Sequence, residues 1–126
     1  MEKANKNPLQ VSKEDQEIVN SIEEQYPDLT KEYKKVMLEQ YILFCKKHSN
    51  YGCQNITLGT NLETEEDIQL SLTGITIRLL DKINRLKTMV LKGEKDTVGE
   101  SIKDTFQDMS VYGIIAQIVQ EGKFKR

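Results

Sequence analysis

The repeated pairing of a helix-capping residue with a following apolar stripe is the feature that most constrains this fold. Ser12, Thr30, Thr64 and Thr97 each precede a segment in which apolar residues recur every three or four positions. A cap side chain accepts a hydrogen bond from a free N–H group of the first helical turn, and that spacing places apolar side chains on one helical face. No segment shows the alternation of a half-buried strand. The sequence therefore predicts an all-α fold.

The capped segments indicate a bundle of about four main helices. They are expected at about residues 12–25, 30–49, 64–92 and 97–121. The stretch between the second and third helices, residues 53–63, is expected to be a loop. Thr97 and Glu100 have the form of a capping box for the last helix. Gly74 marks a candidate kink, because glycine inside a helix costs about 1 kcal/mol relative to alanine.

The chain length allows one domain. A chain of 126 residues has room for one modest core, and two would require more. The first eleven residues are polar, include one proline and show no helical period. We therefore expect a flexible lead-in at 1–11 and a single helical domain at 12–126.

Charge and composition exclude several classes of protein. The net charge is -2, from 18 basic and 20 acidic residues, so a nucleic-acid-coating protein or a basic membrane binder is not expected. The sequence has neither a run of 18 apolar residues nor the pattern of a signal peptide, which predicts no membrane span and a cytoplasmic location. Cys45 and Cys53 lack the spacing of a zinc or redox site and are expected to be free thiols.

The last predicted helix carries three acids on one stripe. Glu100, Asp104 and Asp108 follow one another at intervals of four, and the stripe continues into Tyr112 and Ile115. At 100° per residue this stripe borders the predicted core face of the helix. That core face consists of Ile102, Phe106, Met109, Gly113 and Ala116. In the second half of the helix the acids' own sector is expected to pack as well, so the acids should point toward a crevice; the residues there are Val111, Tyr112, Ile115 and Val119.

The long predicted helix carries a matching series of bases. Arg78, Lys82 and Arg85 lie beside its apolar stripe. In one interpretation these bases form a ladder of salt bridges with the three acids and hold two antiparallel helices in register. In the other, they line a polar pocket where the bases bind a phosphate and the acids bind a metal, a ribose or a base edge.

The turn KKHSNYGCQN, residues 46–55, is a second candidate region. Lys47, Asn50, Tyr51 and Asn55 could grip a nucleobase or a phosphate, and Gly52 is expected to end the preceding helix in the left-handed conformation. We expect His48 to pack against its neighbours, because no other residue has the spacing of a zinc ligand. The common catalytic signatures are absent.

Three segments taken together resemble a known family. These are KHSNYG at 47–52, GITIRLLDKINRL at 74–86 and ESIKDTFQDMSVY at 100–112. In this order they are similar to the nucleotide-modification-associated domain of the first type, a small all-α family frequent in bacteriophages, over about residues 33–120. Asn50 stands where that family usually has aspartate.

The resemblance implies a small nucleotide ligand and a set of binding residues. The implied nucleotide-binding residues are Lys47, Asn50, Tyr51, Gly52, Arg78, Lys82, Arg85 and Tyr112. The layout also resembles, distantly, the MazG-type pyrophosphohydrolases of nucleoside triphosphates. Those enzymes hold magnesium with an E-x-x-E and an E-x-x-D pair, whereas the clear acid series here is Glu100-x-x-x-Asp104-x-x-x-Asp108.

Three classes of function therefore stay open. The first is a phage-type protein that binds a nucleotide for metabolism, modification or sequestration of a signal, in the cytoplasm of the bacterial host if it is phage-encoded. The second is a magnesium-dependent hydrolase with Glu100, Asp104 and Asp108 as metal ligands; no other cofactor is predicted. The third is a structural helical interaction protein.

Apolar residues on more than one side of the last two helices indicate self-association. Ile77, Leu80, Ile114 and Ile118 add apolar surface beyond what one small core buries. We expect a homodimer or a higher homo-oligomer.

Overall fold

All regular structure in residues 10–126, which the computed structural model describes, is helical. The all-α prediction is therefore confirmed. The predicted lead-in at 1–11 lies outside the described residues except for residues 10 and 11. The helices are α1 (Lys13–Gln25), α2 (Pro27–Tyr51), α3 (Gln54–Thr57), α4 (Glu65–Leu86) and α5 (Ile102–Gln120), with a π-helical turn at Lys87–Leu91 after α4.

The chain divides into two compact units. The first ends at Glu39 and the second is Gln40–Arg126. The boundary falls within α2. The single domain expected at 12–126 stays a prediction.

The described part of the first unit is made of helix that buries no residue. Its α1 begins as predicted, because the hydroxyl of Ser12 accepts a hydrogen bond of 3.1 Å from the backbone N–H of Asp15. An ion pair joins Lys34 to Glu23.

The start of α2 differs from the prediction. The helix begins at Pro27 rather than after Thr30, because proline suits a first turn in which its missing N–H would have no helical partner. Thr30 instead donates its hydroxyl to the carbonyl of Tyr26 at 3.0 Å. The predicted end is confirmed: Gly52 has φ of 65° and its N–H reaches the carbonyl of His48 at 2.8 Å.

The hydrophobic core of the second unit is built mainly by α4 and α5 with α3 at one end. Its buried residues are Ile56, Leu62, Ile75, Ile115, Val119 and Phe124. The loop predicted at 53–63 is wrong in part, since α3 lies within it. The buried hydroxyl of Ser71 on α4 donates to the carbonyl of Ile56 at 2.7 Å. This contact between distant residues ties α3 to α4, and no local sequence pattern encodes it.

The face that α5 buries differs from the prediction in the first half of the helix, whereas Ile115 and Val119 are buried in the second half as expected. Thr105, Ile115 and Val119 are buried, whereas Ile102 and Phe106 are 38% and 54% exposed. The sector that carries the acids therefore faces the second unit's interior. Two of these acids, Glu100 and Asp108, meet cations from other helices there, as described below.

The start of α5 also differs from the prediction. Ser101 and Asp104 form the capping box, and the first helical residue is Ile102. The predicted box of Thr97 and Glu100 does not form, because the side chain of Glu100 is bonded to cations of α4.

α4 runs without a break through Gly74, and the candidate kink there stays a prediction. An irregular turn lies at Lys87–Leu91. Thr64 caps α4 as predicted, accepting from the N–H of Asp67 at 3.1 Å.

Both Cys45 and Cys53 are free thiols, as expected. Across residues 10–126, every helix is too short or too polar to traverse a bilayer.

Candidate functional site

A network of ion pairs connects α4 to the start of α5. The Nζ atom of Lys82 lies 3.2 Å from Oε1 of Glu100 and 3.0 Å from Oδ2 of Asp108. Arg85 pairs through Nε with Oε2 of Glu100 at 3.0 Å and through Nη2 with Oδ1 of Asp96 at 2.8 Å. We call these five residues the charge network. Each of its two cations is bonded to two carboxylates.

The pKa shifts reflect this pairing. Burial would lower the pKa of Lys82, but hydrogen bonds to Asp108 and Glu100 outweigh it and raise that pKa above its ordinary value. The hydrogen bond between Arg85 and Asp96 raises the pKa of the guanidinium and lowers the pKa of the carboxyl. All three groups are therefore held in their charged forms at neutral pH.

Thr105 links two members of the charge network to the first turn of α5. Its side chain is fully buried. Its hydroxyl accepts from Nε of Arg85 at 3.1 Å and lies 2.9 Å from Oε2 of Glu100 as a donor. Arg85 also donates to the backbone carbonyl of Glu100. One arginine thus fixes both the side chain and the backbone at the start of α5.

A cavity of about 370 Å³ lies beside the charge network. It is formed within the second unit by the end of α2, by α3, by α4 and α5, and by the C-terminal segment. Asp108 belongs to both the cavity and the charge network. The lining residues are Leu43, Phe44, Lys47, His48, Tyr51, Gly52, Asn55, Ile56, Arg78, Asp108, Val111, Tyr112, Ile115 and Phe124.

The cations of the cavity differ in their partners. Lys47 lies 3.2 Å from Oδ1 of Asp108, and its side chain is about half exposed. Arg78 donates through Nη2 to the carbonyl of Asn55 at 2.9 Å, and its Cζ atom lies 5.6 Å from the ring centroid of Tyr112. Within residues 10–126, Arg78 forms no ion pair with a carboxylate. Its charge is therefore not neutralised by a neighbour.

Three aromatic rings form one wall of the cavity. Phe44 and His48 stack with centroids 5.4 Å apart and planes at 26°. Phe124 presents its edge to both rings, at 6.2 Å from Phe44 and 5.6 Å from His48. The Sγ atom of Cys53 lies 3.9 Å from Nε2 of His48. His48 is thus packed among aromatic rings, and this placement agrees with the expected packing role.

The cavity brings together five of the eight predicted nucleotide-binding residues. These are Lys47, Tyr51, Gly52, Arg78 and Tyr112. The other three, Asn50, Lys82 and Arg85, do not line it. Lys82 and Arg85 form part of the predicted ladder, without Asp104, whereas Arg78 lines the cavity. Each interpretation of the basic series therefore describes a different part of it, and the binding roles themselves stay predictions.

The three predicted metal ligands have separate partners. Asp104 accepts from the backbone N–H of Ser101 at 3.2 Å, while Glu100 and Asp108 pair with cations. Over the described range 10–126, no three His, Cys, Asp or Glu side chains are grouped so that they could hold a metal ion. The magnesium role of these acids stays a prediction.

Sequence reasoning missed Phe124, Asp96 and Thr105 as parts of this region. Phe124 had a recognisable signal, because Gly122 with φ of 67° ends α5 and turns the chain back, and a glycine stop is often followed by an apolar contact. No sequence signal indicated Asp96 or Thr105, since their partner Arg85 is distant in sequence.

Comparison with models of protein families matches residues 53–119 to nucleotide modification associated domain 1. The match covers just over half of the chain and includes α3, α4 and all but the last residue of α5. Lys47 and Tyr51 precede the matched region. No curated protein and no solved structure matches the chain.

Proposed function

This chain belongs to the nucleotide modification associated domain 1 family, and on that premise we propose that its cavity binds a small nucleotide. The observation that carries the proposal is the presence, in one cavity, of an arginine with no carboxylate partner in the described chain and an aromatic wall. A nucleotide combines the two chemistries that such a cavity favours, an anionic phosphate and a flat ring.

Arg78 is the group proposed to bind the phosphate. A guanidinium has five N–H donors, and a planar fork suits phosphate oxygens. Among the described residues, one hydrogen bond of Arg78 goes to the carbonyl of Asn55, so donors are left for a ligand. Lys47 is proposed to assist, because its exposed stem allows it to turn from Asp108 toward an anion.

The aromatic wall is proposed to bind the base. Nucleobases stack on aromatic side chains with little dependence on sequence, at about 1–3 kcal/mol per base. Phe44, His48 and Phe124 supply this surface, and Tyr51 and Tyr112 add two further rings. Asn55 and Asp108 offer polar groups for a base edge or a ribose hydroxyl.

Calorimetric titration of the full chain with nucleotides of each base tests the proposal. At least one nucleotide should bind and, by mass action, raise the melting temperature. Arg78→Ala should weaken that binding by about 10- to 100-fold, since a charge-assisted contact contributes roughly 1.5–3 kcal/mol. Lys103→Ala, at an exposed lysine of α5, is the matched control. Failure of every nucleotide to bind, or equal affinities for Arg78→Ala and wild type, would contradict the proposal.

Repeating the titration with magnesium, followed by analysis of products, separates binding from hydrolysis. Recovery of the intact nucleotide is expected for a binding protein. Magnesium-dependent conversion of a triphosphate would instead support the hydrolase alternative. A protein that binds no nucleotide would support the third class, in which the ion pairs only hold the helices in register.

We extend the proposal to assembly and location. Ile77, Leu80 and Ile114 are each about half exposed, which supports a homodimer or a higher homo-oligomer. The expected place of action is the cytoplasm, and that of a bacterial host if the gene is carried by a bacteriophage.

A further inference from the structure

The charges that line the cavity leave it with one net positive charge. Lys47 and Arg78 are the cations of the lining, and Asp108 is its carboxylate. The only other titratable group on the aromatic wall is His48, which is packed between two phenylalanine rings. A ligand of low negative charge is therefore matched to the cavity.

Two further cations of α4 are already committed. Lys82 and Arg85 do not line the cavity, and each is bonded to two carboxylates of the charge network. Drawing either one toward a ligand would leave half-buried acids without their partners, which is costly. Additional phosphates of a ligand would thus find no available cation in the charge network.

Asp108 adds a repulsive contribution. Its carboxylate lies between Lys47 and Lys82, at 3.2 Å and 3.0 Å, and also lines the cavity. Like charges repel strongly where water is partly excluded. A single phosphate next to Arg78 keeps the ligand's charge low, whereas a chain of phosphates brings several more negative charges into the same small space.

The size of the cavity also favours a ligand with few phosphates. Its volume of about 370 Å³ is near the lower end of the range of roughly 300–1,000 Å³ for ligand pockets. A single nucleotide unit with a short anionic group fits that range better than a dinucleotide or an extended polyphosphate.

We propose that the cavity selects nucleotides with a single phosphate group, either an ordinary or a cyclic monophosphate, over diphosphates and triphosphates. This inference rests on the proposed function and specifies its ligand class. The phosphate is bound by Arg78 and Lys47, the base lies against the wall of Phe44, His48 and Phe124, and Asp108 accepts a hydrogen bond from a ribose hydroxyl or a base N–H group.

The test is a calorimetric titration of the full chain with a matched series in the presence of a chelator. For each base the series contains the nucleoside, the ordinary monophosphate, the cyclic monophosphate, the diphosphate and the triphosphate. One of the monophosphates should bind at least about 10-fold more tightly than both the nucleoside and the triphosphate of the same base. The tighter of the two monophosphates identifies which form the cavity takes.

The outcomes separate this inference from the proposed function. A triphosphate that binds as tightly as the monophosphates, or more tightly, overturns the inference and leaves nucleotide binding standing. A nucleoside that binds as tightly as its monophosphate also overturns the inference. Binding of no member for any base overturns both.

Asp108→Asn tests the origin of the selectivity. The change raises the net charge of the lining from one to two, so the preference for a monophosphate over a triphosphate should fall by about 10-fold. An unchanged preference overturns the charge argument. Because Asp108 also pairs with Lys82, folding is checked by circular dichroism.

If this variant does not fold, Lys47→Gln at the exposed side of the cavity serves instead. The ratio of monophosphate to nucleoside affinity should then fall by at least threefold, and an unchanged ratio overturns the inference.

Discussion

Arg78 and Arg85 lie two turns apart on the same helix and have opposite surroundings. Arg85 is bonded to Asp96, Glu100 and the hydroxyl of Thr105. Arg78 has a backbone carbonyl and an aromatic ring as its partners in the described chain. The comparison teaches that the partners within reach, rather than the residue type, decide whether a half-buried arginine holds a fold together or stays available for a ligand.

The difference comes from the segments that pack against each end of α4. After the π-helical turn, residues 92–101 bring Asp96 and Glu100 back onto the C-terminal part of α4. Near Arg78, the facing residues are Asn55, which contributes a carbonyl, and Tyr112, which contributes a ring. The C-terminal end of α4 is thus neutralised by carboxylates, and Arg78, earlier in the helix, keeps its positive charge beside the cavity.

The largest effect expected in the charge network is a loss of stability in Lys82→Met. Methionine keeps the apolar stem but leaves Glu100 and Asp108 without one cation. Because exposed pairs contribute about 0.2–1 kcal/mol and breaking buried pairs costs about 3–5 kcal/mol, we expect this half-buried site to lose about 1–3 kcal/mol. Denaturant unfolding measures the change. Lys103→Met is the control, and equal stability of the two variants would show that the network does not stabilise the fold.

A smaller effect is expected for Thr105→Val. Valine fills nearly the same volume but cannot accept the hydrogen bond from Nε of Arg85, so this partly exposed donor keeps Glu100 and loses one acceptor. The free energy of unfolding should fall by about 1–2 kcal/mol. Thr73→Val is the matched control, because the hydroxyl of Thr73 bonds to a helix carbonyl at an exposed position. Equal losses of stability in the two valine variants would show that the hydrogen bond between Arg85 and Thr105 stabilises the fold no more than an exposed one does.

The smallest effect concerns pH. The hydrogen bond from Arg85 lowers the pKa of Asp96, so this carboxylate contributes stability above its unfolded pKa of about 3.9 and loses it as the pH falls through the lower folded value. Asp96→Asn should therefore be less stable than wild type at neutral pH, and the gap should narrow below about pH 4. Thermal unfolding across pH measures it. Glu94→Gln, at an exposed neighbouring acid, should show no such narrowing; a constant gap for Asp96→Asn would contradict the assignment.

Helix positions could be predicted wherever the deciding contacts are local. Ser12 and Thr64 cap α1 and α4 as predicted because the N–H groups they accept from lie three residues ahead. The predicted cap at Thr97 and Glu100 was wrong because a longer-range partner competed for the side chain of Glu100. Residue spacing alone contains no information about that competition.

The candidate site could be predicted in composition but not in arrangement. The turn at Lys47 and Tyr51 and the basic residue Arg78 were predicted, and the cavity brings them together. The wall formed with Phe124 was not predicted, because it requires the chain after α5 to fold back onto α2.

By itself the sequence determined the all-α class, several helix boundaries and some of the residues that line the cavity, because capping and helical periodicity depend on neighbours within one or two turns. Only the tertiary structure decided which face α5 buries in its first half, and which of three equivalent-looking cations has no carboxylate partner in residues 10–126. Those outcomes depend on pairs such as Arg78 with Asn55 and Arg85 with Asp96. Electrostatic and hydrogen-bond energies fall steeply with distance, so such choices are made only when packing brings distant residues within about 3 Å of each other.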